Sequence, residues 1–90
     1  MIIGKVIGTV WSTKKDENLV GAKFLIVREL DLELREKSNF VIAVDSVGAG
    51  EGEVVLVATG SSARQTNITK NKPVDAVIMA IIDKLDKVEQ

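Results

Sequence analysis

Two short stretches hold the residue types and spacings that could do chemistry. Residues 48–52 read Gly48-Ala49-Gly50-Glu51-Gly52, and residues 60–66 read GSSARQT, with Ser61, Ser62, Ala63 and Arg64 at the centre. A glycine-dense turn can cradle a phosphate with its backbone N–H groups, and an arginine can clamp an anion. The first stretch fails that test on spacing. A dinucleotide fingerprint, G-x-G-x-x-G, follows a strand and opens a helix whose N-terminus faces the pyrophosphate. Here the third glycine comes one residue early, the segment that follows (EVVLVAT) is a strand pattern, and Glu51 and Glu53 would repel a phosphate. No Gly-Lys-Ser/Thr follows either, so the Walker motif is absent. The glycines are expected instead to supply a tight turn with positive φ, or close packing of backbone against a neighbour.

Arg64 has two readings, an anion ligand or a planar fork that ties backbone carbonyls or a carboxylate, within the chain or across an interface. Asp45, Glu53 and Asp75 are the candidate carboxylates, and Asp75, shortly after Pro73, is alternatively a turn cap. Ser61 is a candidate N-cap for one helical turn over residues 60–66. Trp11, the only tryptophan, is expected to anchor a core or an interface.

The residue types that are missing narrow the field further. The chain has no His and no Cys, which removes the commonest general base, the thiol nucleophile and the usual transition-metal ligands. No catalytic, cofactor-binding or metal-binding residue is assigned, and the expectation is a protein that is not an enzyme. The net charge of −1 gives no electrostatic reason for a nucleic acid or an anionic membrane as partner. No apolar run approaches the length of about 20 residues that spans a bilayer as a helix. The N-terminus lacks the basic and long apolar regions of a signal peptide, so a cytoplasmic location is expected. Ninety residues set the expectation of one domain over 1–90.

The elements that must position these stretches are mostly strands. Residues 2–11 alternate with period two, with Gly4 and Gly8 on the buried face, where a glycine marks a bulge or a close backbone approach. Residues 22–30, 40–45 and 53–59 form the next three strands, and all are apolar on both faces at their centres. Both phenylalanines lie in such centres and are expected in the core. The segment 75–88 is ambiguous. Val77, Ile78, Ile81, Ile82, Leu85 and Val88 fit a helical face, while the run VIMAII suits a central strand; periodicity alone favours the helix.

Short strands without intervening long helices imply an antiparallel barrel or sandwich. An antiparallel sheet with one wet face should alternate apolar and polar, and these strands do not. The chain has little left to cover a second face, so other copies of the same chain are expected to do so, because interfaces of obligate oligomers resemble a core cut in two.

Three segments together resemble the EutN/CcmL family of bacterial microcompartment vertex proteins: GKVIGTVWSTKK (4–15), VDSVGAGEGEVVLVATGSSARQT (44–66) and PVDAVIMAIID (73–83). Each is weak alone, and their combination in this order is specific. The resemblance implies an all-β, OB-like antiparallel barrel of about five strands with one short helix, assembling as a ring of five. Such pentamers close the five-fold corners of a polyhedral protein shell, in the cytoplasm, whose facets are hexamers of another fold and whose interior holds enzymes. It also implies that 75–88 is mainly strand after a turn at Pro73, and this reading is adopted over the helix. No catalytic residue carries over. Gly48, Ala49, Gly50, Gly52, Ser61, Ser62, Ala63, Arg64 and Asp75 are the residues expected at the subunit interface or near the ring axis. The alternative is an OB-type module that binds single-stranded nucleic acid or a small ligand, for which a basic groove with stacking aromatics is the requirement.

Overall fold

The computed structural model describes residues 1–88. Five strands, β1 (Ile2–Val10), β2 (Phe24–Leu30), β3 (Glu36–Asp45), β4 (Val54–Thr59) and β5 (Ala76–Ile81), close into a barrel in the order β1-β2-β3-β5-β4. Short 3-10 turns lie at Glu17–Leu19 and Gly60–Arg64. The all-β barrel expected from the sequence is therefore present. Its junctions are antiparallel except β3–β5, which is parallel and rests on the pairs Val44–Val77 and Asp45–Ile78.

The two apolar faces of the central strands go to two different cores. Val6, Leu25, Val27, Ala43, Val55, Val57 and Ile78 fill the lumen, plugged by Ala49 from the loop after β3. Val44, Ala58 and Val77 point outward and are covered by Ala63 and Val74 of the chain's own segment 60–74. That cover corrects the expectation that the second face needs other copies throughout. Small side chains do the covering, so the segment lies close to the barrel without large apolar residues. Part of the outer face remains open: Ile7, Phe40 and Ile42 are exposed, Phe40 at 58%. Phe40 is thus not a core residue, and Phe24 is only half-buried at the margin of the outer core.

Residues 75–88 contain no helix. The strand covers Ala76–Ile81, and residues 82–88 run on irregularly. Val77 and Ile78 are both fully buried, one outside the barrel and one in its lumen. A segment buried on both faces has no period-two signature, which is why periodicity favoured the wrong element. The last ladder contact, Ile82 N–H to the Val54 carbonyl at 2.8 Å, ends the strand where Asp83 and Lys84 begin a charged tail.

Gly4 is buried as the alternation suggested, whereas Gly8 is only half-buried and stands at a bulge. A β-carbon on Gly4 would lie 2.2 Å from Val27 Cγ1 and 2.9 Å from the Arg28 carbonyl oxygen, so β1 can approach β2 only as glycine. The register slips between Val6 and Gly8, which turns Ile7 outward. β3 starts at Glu36 rather than at Phe40, because residues 36–39 continue the hairpin with β2 although they are wet on both faces.

Candidate functional site

The two stretches singled out in the sequence flank β4. The 48–52 loop precedes it and the Gly60–Arg64 turn follows it. Six residues of strand separate them along the chain, although Val44, next to the loop's anchor Asp45, packs against Ala63 and Val74. Within one chain they do not form a common site.

The 48–52 loop is built around two carboxylates. The N–H groups of Val47, Gly48 and Ala49 all donate to Asp45 Oδ1, at 3.1, 3.1 and 3.2 Å. The Gly50 N–H donates to Glu53 Oε1 at 2.6 Å, and the Gly52 N–H to the Val6 carbonyl at 2.8 Å. Gly48 and Gly52 take φ of 77° and 83°, a region that side chains with a β-carbon enter at a cost. These donors are the ones a phosphate would need, and the chain's own acceptors already occupy them. The sequence argument against a phosphate cradle used the glycine spacing, the strand that follows and repulsion by Glu51 and Glu53. The structure adds that Asp45 and Glu53 act as internal ligands of the turn. Among the described residues, the carbonyls of the exposed residues Val47, Gly48, Glu51 and Gly52 accept no hydrogen bond, so the loop keeps free acceptors at the surface.

The second stretch is held by packing. Ala63 is fully buried in the outer core. Ser61 is exposed and does not cap the turn: Thr59 holds the N-cap position without a side-chain bond, and Ser62 Oγ donates to the Thr59 carbonyl at 2.7 Å. Beyond the turn, Thr66 and Thr69 bond each other through side chain and backbone, with Thr69 fully buried. Arg64 donates from Nη1 to the Val74 carbonyl at 3.0 Å. It therefore ties backbone, and among the described residues it forms no ion pair with Asp45, Glu53 or Asp75. Asp75 is exposed beside this turn, its carbonyl accepting from the Gly60 N–H at 2.8 Å.

Two depressions border the segment. One, of about 350 Å³, lies where β3 splays from β5 and is lined by Val41, Ile42, Thr59, Gly60, Asp75 and Ala76. The other, of about 390 Å³, is lined by Arg64, Gln65, Thr66, Asn67, Lys70 and Asn71. The structure thus brings Ser61, Ser62, Arg64 and Asp75 to one end of β4 and Gly48, Gly50 and Gly52 to the other. Ala49 and Ala63 are buried inside the chain, so they position the two stretches and cannot themselves touch a neighbour.

Lys70 and Asn67 were not singled out in the sequence. A signal for the first was there: residues 54–74 contain Arg64, Lys70 and Lys72 and no acid. Trp11, expected as an anchor, is 88% exposed. Among the described residues no group of three or more acidic side chains is gathered as metal ligands require, and no helix is long and apolar enough to cross a membrane.

Comparison with known proteins fits this architecture. Residues 1–83 match the family model described as ethanolamine utilisation protein EutN/carboxysome. The chain is 46% identical over 88 residues to the bacterial microcompartment shell vertex protein GrpN of Rhodospirillum rubrum (strain F11), covering 98% of this chain and 99% of that one. The solved structure of the GrpN pentameric microcompartment shell protein from Rhodospirillum rubrum superposes with a TM-score of 0.89 at 45% identity, over 98% of this chain and 100% of that one. The structure of Gloeobacter violaceus CcmL superposes with a TM-score of 0.92 at 42% identity, over 97% and 90%. With a full-length likeness in sequence and in fold, the chain belongs to the EutN/CcmL family.

Proposed function

We propose that this protein is a vertex subunit of a bacterial microcompartment shell, five copies of which close into a ring at a corner of the polyhedron. The observation that carries the reading is the 46% identity over 98% of the chain to a shell vertex protein, with a pentameric shell protein of the same fold at 45%. The proposed role is structural and not catalytic, exercised in the cytoplasm, with no cofactor. The proposed partners are copies of the same chain and the hexameric shell proteins of the facets. The net charge of −1 offers no general attraction for a polyanion, which favours leaving nucleic acid and anionic membranes out.

A closed ring needs head-to-tail contacts, each joining two different patches of the same chain surface. The 48–52 loop with Gly48, Gly50 and Gly52, and the turn with Ser61, Ser62, Arg64 and nearby Asp75, are the proposed patches. Their placement at opposite ends of β4 suits a head-to-tail arrangement better than a common site would. Small residues let backbones of neighbouring copies approach without side-chain interference. Deleting the gene and imaging compartments by electron microscopy tests the reading. Elongated or unclosed shells are expected. Normal closed polyhedra, with no substitute vertex protein present, would contradict it.

A further inference from the structure

The two proposed patches differ in hydrogen-bonding sense and in charge, and the difference is complementary. At one end of β4, the 48–52 loop has turned its N–H groups inward onto Asp45, Glu53 and Val6. What it leaves at the surface is the unclaimed carbonyls of the exposed residues Val47, Gly48, Glu51 and Gly52 and the exposed carboxylate of Glu51. Among the described residues Glu51 has no ion-pair partner. The segment 45–53 contains Asp45, Glu51 and Glu53 and no cation.

At the other end lies the depression between Arg64 and Asn71, concave, about 390 Å³, with the cations Arg64 and Lys70 and no acid in its lining. Neither cation pairs with a carboxylate among the described residues. Arg64 spends Nη1 on the Val74 carbonyl, which fixes the guanidinium and leaves its other N–H groups free. A donor-rich hollow and an acceptor-bearing loop thus sit on the same chain as distinct patches, separated in sequence by β4. This is the relation that a heterologous contact requires, since the two halves of each joint must differ and must not overlap.

We propose that, in the ring, the 48–52 loop of one copy seats in the Arg64–Lys70 hollow of the next, with Glu51 of the neighbouring copy facing Arg64 and Lys70. The inference rests on the ring reading above and goes further by saying which patch meets which, and through which charges. The absence of β-carbons at Gly48, Gly50 and Gly52 lets the loop carbonyls reach the guanidinium, whose planar fork suits paired acceptors.

Native mass spectrometry over a dilution series tests the pairing with Glu51→Lys, Lys70→Glu and the double variant. Positions 51 and 70 are exposed in the single chain, so circular dichroism should show an unchanged fold, and Glu51→Gln provides a milder variant of the same contact. Each reversal should raise the protein concentration at which rings half-dissociate by roughly tenfold or more, the size of effect that like charges across a joint produce. Glu51→Gln should raise it less, and the double variant should return it to the wild-type value. Mixing the two single variants should recover less than the double variant does, because a ring with an odd number of members cannot alternate two chain types all the way round. If the wild type forms no ring, the vertex reading itself fails. If the wild type forms rings and both reversals leave the midpoint in place, or the double variant is no better than the singles, the pairing is overturned. The latter result would leave the hollow to a facet protein or to a free anion.

Discussion

The 48–52 loop and the 60–74 segment flank the same strand, are both rich in small residues, and are ordered by opposite means. The loop is a polar construction: Asp45 and Glu53 gather four backbone N–H groups, and only Ala49 reaches a core. The segment is fastened to the barrel by apolar packing: Ala63 and Val74 close a core outside the barrel over Val44, Ala58 and Val77, while the Thr66–Thr69 bonds tie it internally and Arg64 bonds the Val74 carbonyl. Small residues in a turn therefore do not announce one role. In the first region they admit positive φ and expose carbonyls. In the second they allow a chain segment to lie flat on a sheet.

The contrast can be broken from either side. Ala63→Asp should have the largest effect, since it places a charge without a partner in the outer core, at a cost of roughly 3 kcal/mol or more. Thermal or denaturant unfolding of the purified variant measures it, and an unchanged midpoint would mean that the 60–74 segment does not pack as described. Asp45→Ala should come next, losing about 2 kcal/mol as the N–H groups of Val47, Gly48 and Ala49 lose their acceptor. Asp45→Asn keeps an oxygen at the same place and should recover most of that loss; equal losses for the two would show that the charge and not the acceptor matters. Arg64→Ala should lower the stability of the single chain by only about 1 kcal/mol, the worth of one hydrogen bond near the surface, while weakening the ring by much more.

The smallest effect belongs to a control outside both regions. Asp31 in the β2–β3 connection accepts from the Arg35 N–H at 3.0 Å and the Glu33 N–H at 2.8 Å. The Arg35 backbone bond is the chief cause holding its carboxyl below the ordinary value of 3.8. A lowered carboxyl pKa means the folded form binds its proton less readily than the unfolded one, so the contribution is present above pH 3.8 and fades as pH falls through the folded value. Melting curves of wild type and Asp31→Asn should converge only in strong acid, and a difference that is independent of pH would remove the carboxylate from the account.

The barrel was legible because Val and Ile runs without intervening long helices leave few architectures. The cover over its outer face was not, because Ala58 and Ala63 carry no strong apolar signal and Val44 is brought to them from another strand. Periodicity misread 75–88 for the same reason it misses any strand buried on both faces, as Val77 and Ile78 are. In the candidate site, the glycines were separated from a phosphate loop by their spacing, by the strand pattern that follows and by the acids beside them. The work of Asp45 was hidden, since an acid that wraps three N–H groups looks in sequence like any acid before a turn. Ser61 as cap failed because the turn begins at Gly60, with Thr59 at the N-cap position and Ser61 inside the turn. The free edge of charge at Glu51, Arg64 and Lys70 was visible as a partition, acids before β4 and cations after it, but only the barrel shows the two groups as distinct patches.

The central claim is that copies of this chain close head-to-tail into a ring of five. Native mass spectrometry of the purified wild-type chain at micromolar concentration and moderate ionic strength tests it most directly. A dominant species at five times the 9.7 kDa chain mass is the predicted result; a monomer throughout, or a ring of another number, would contradict it.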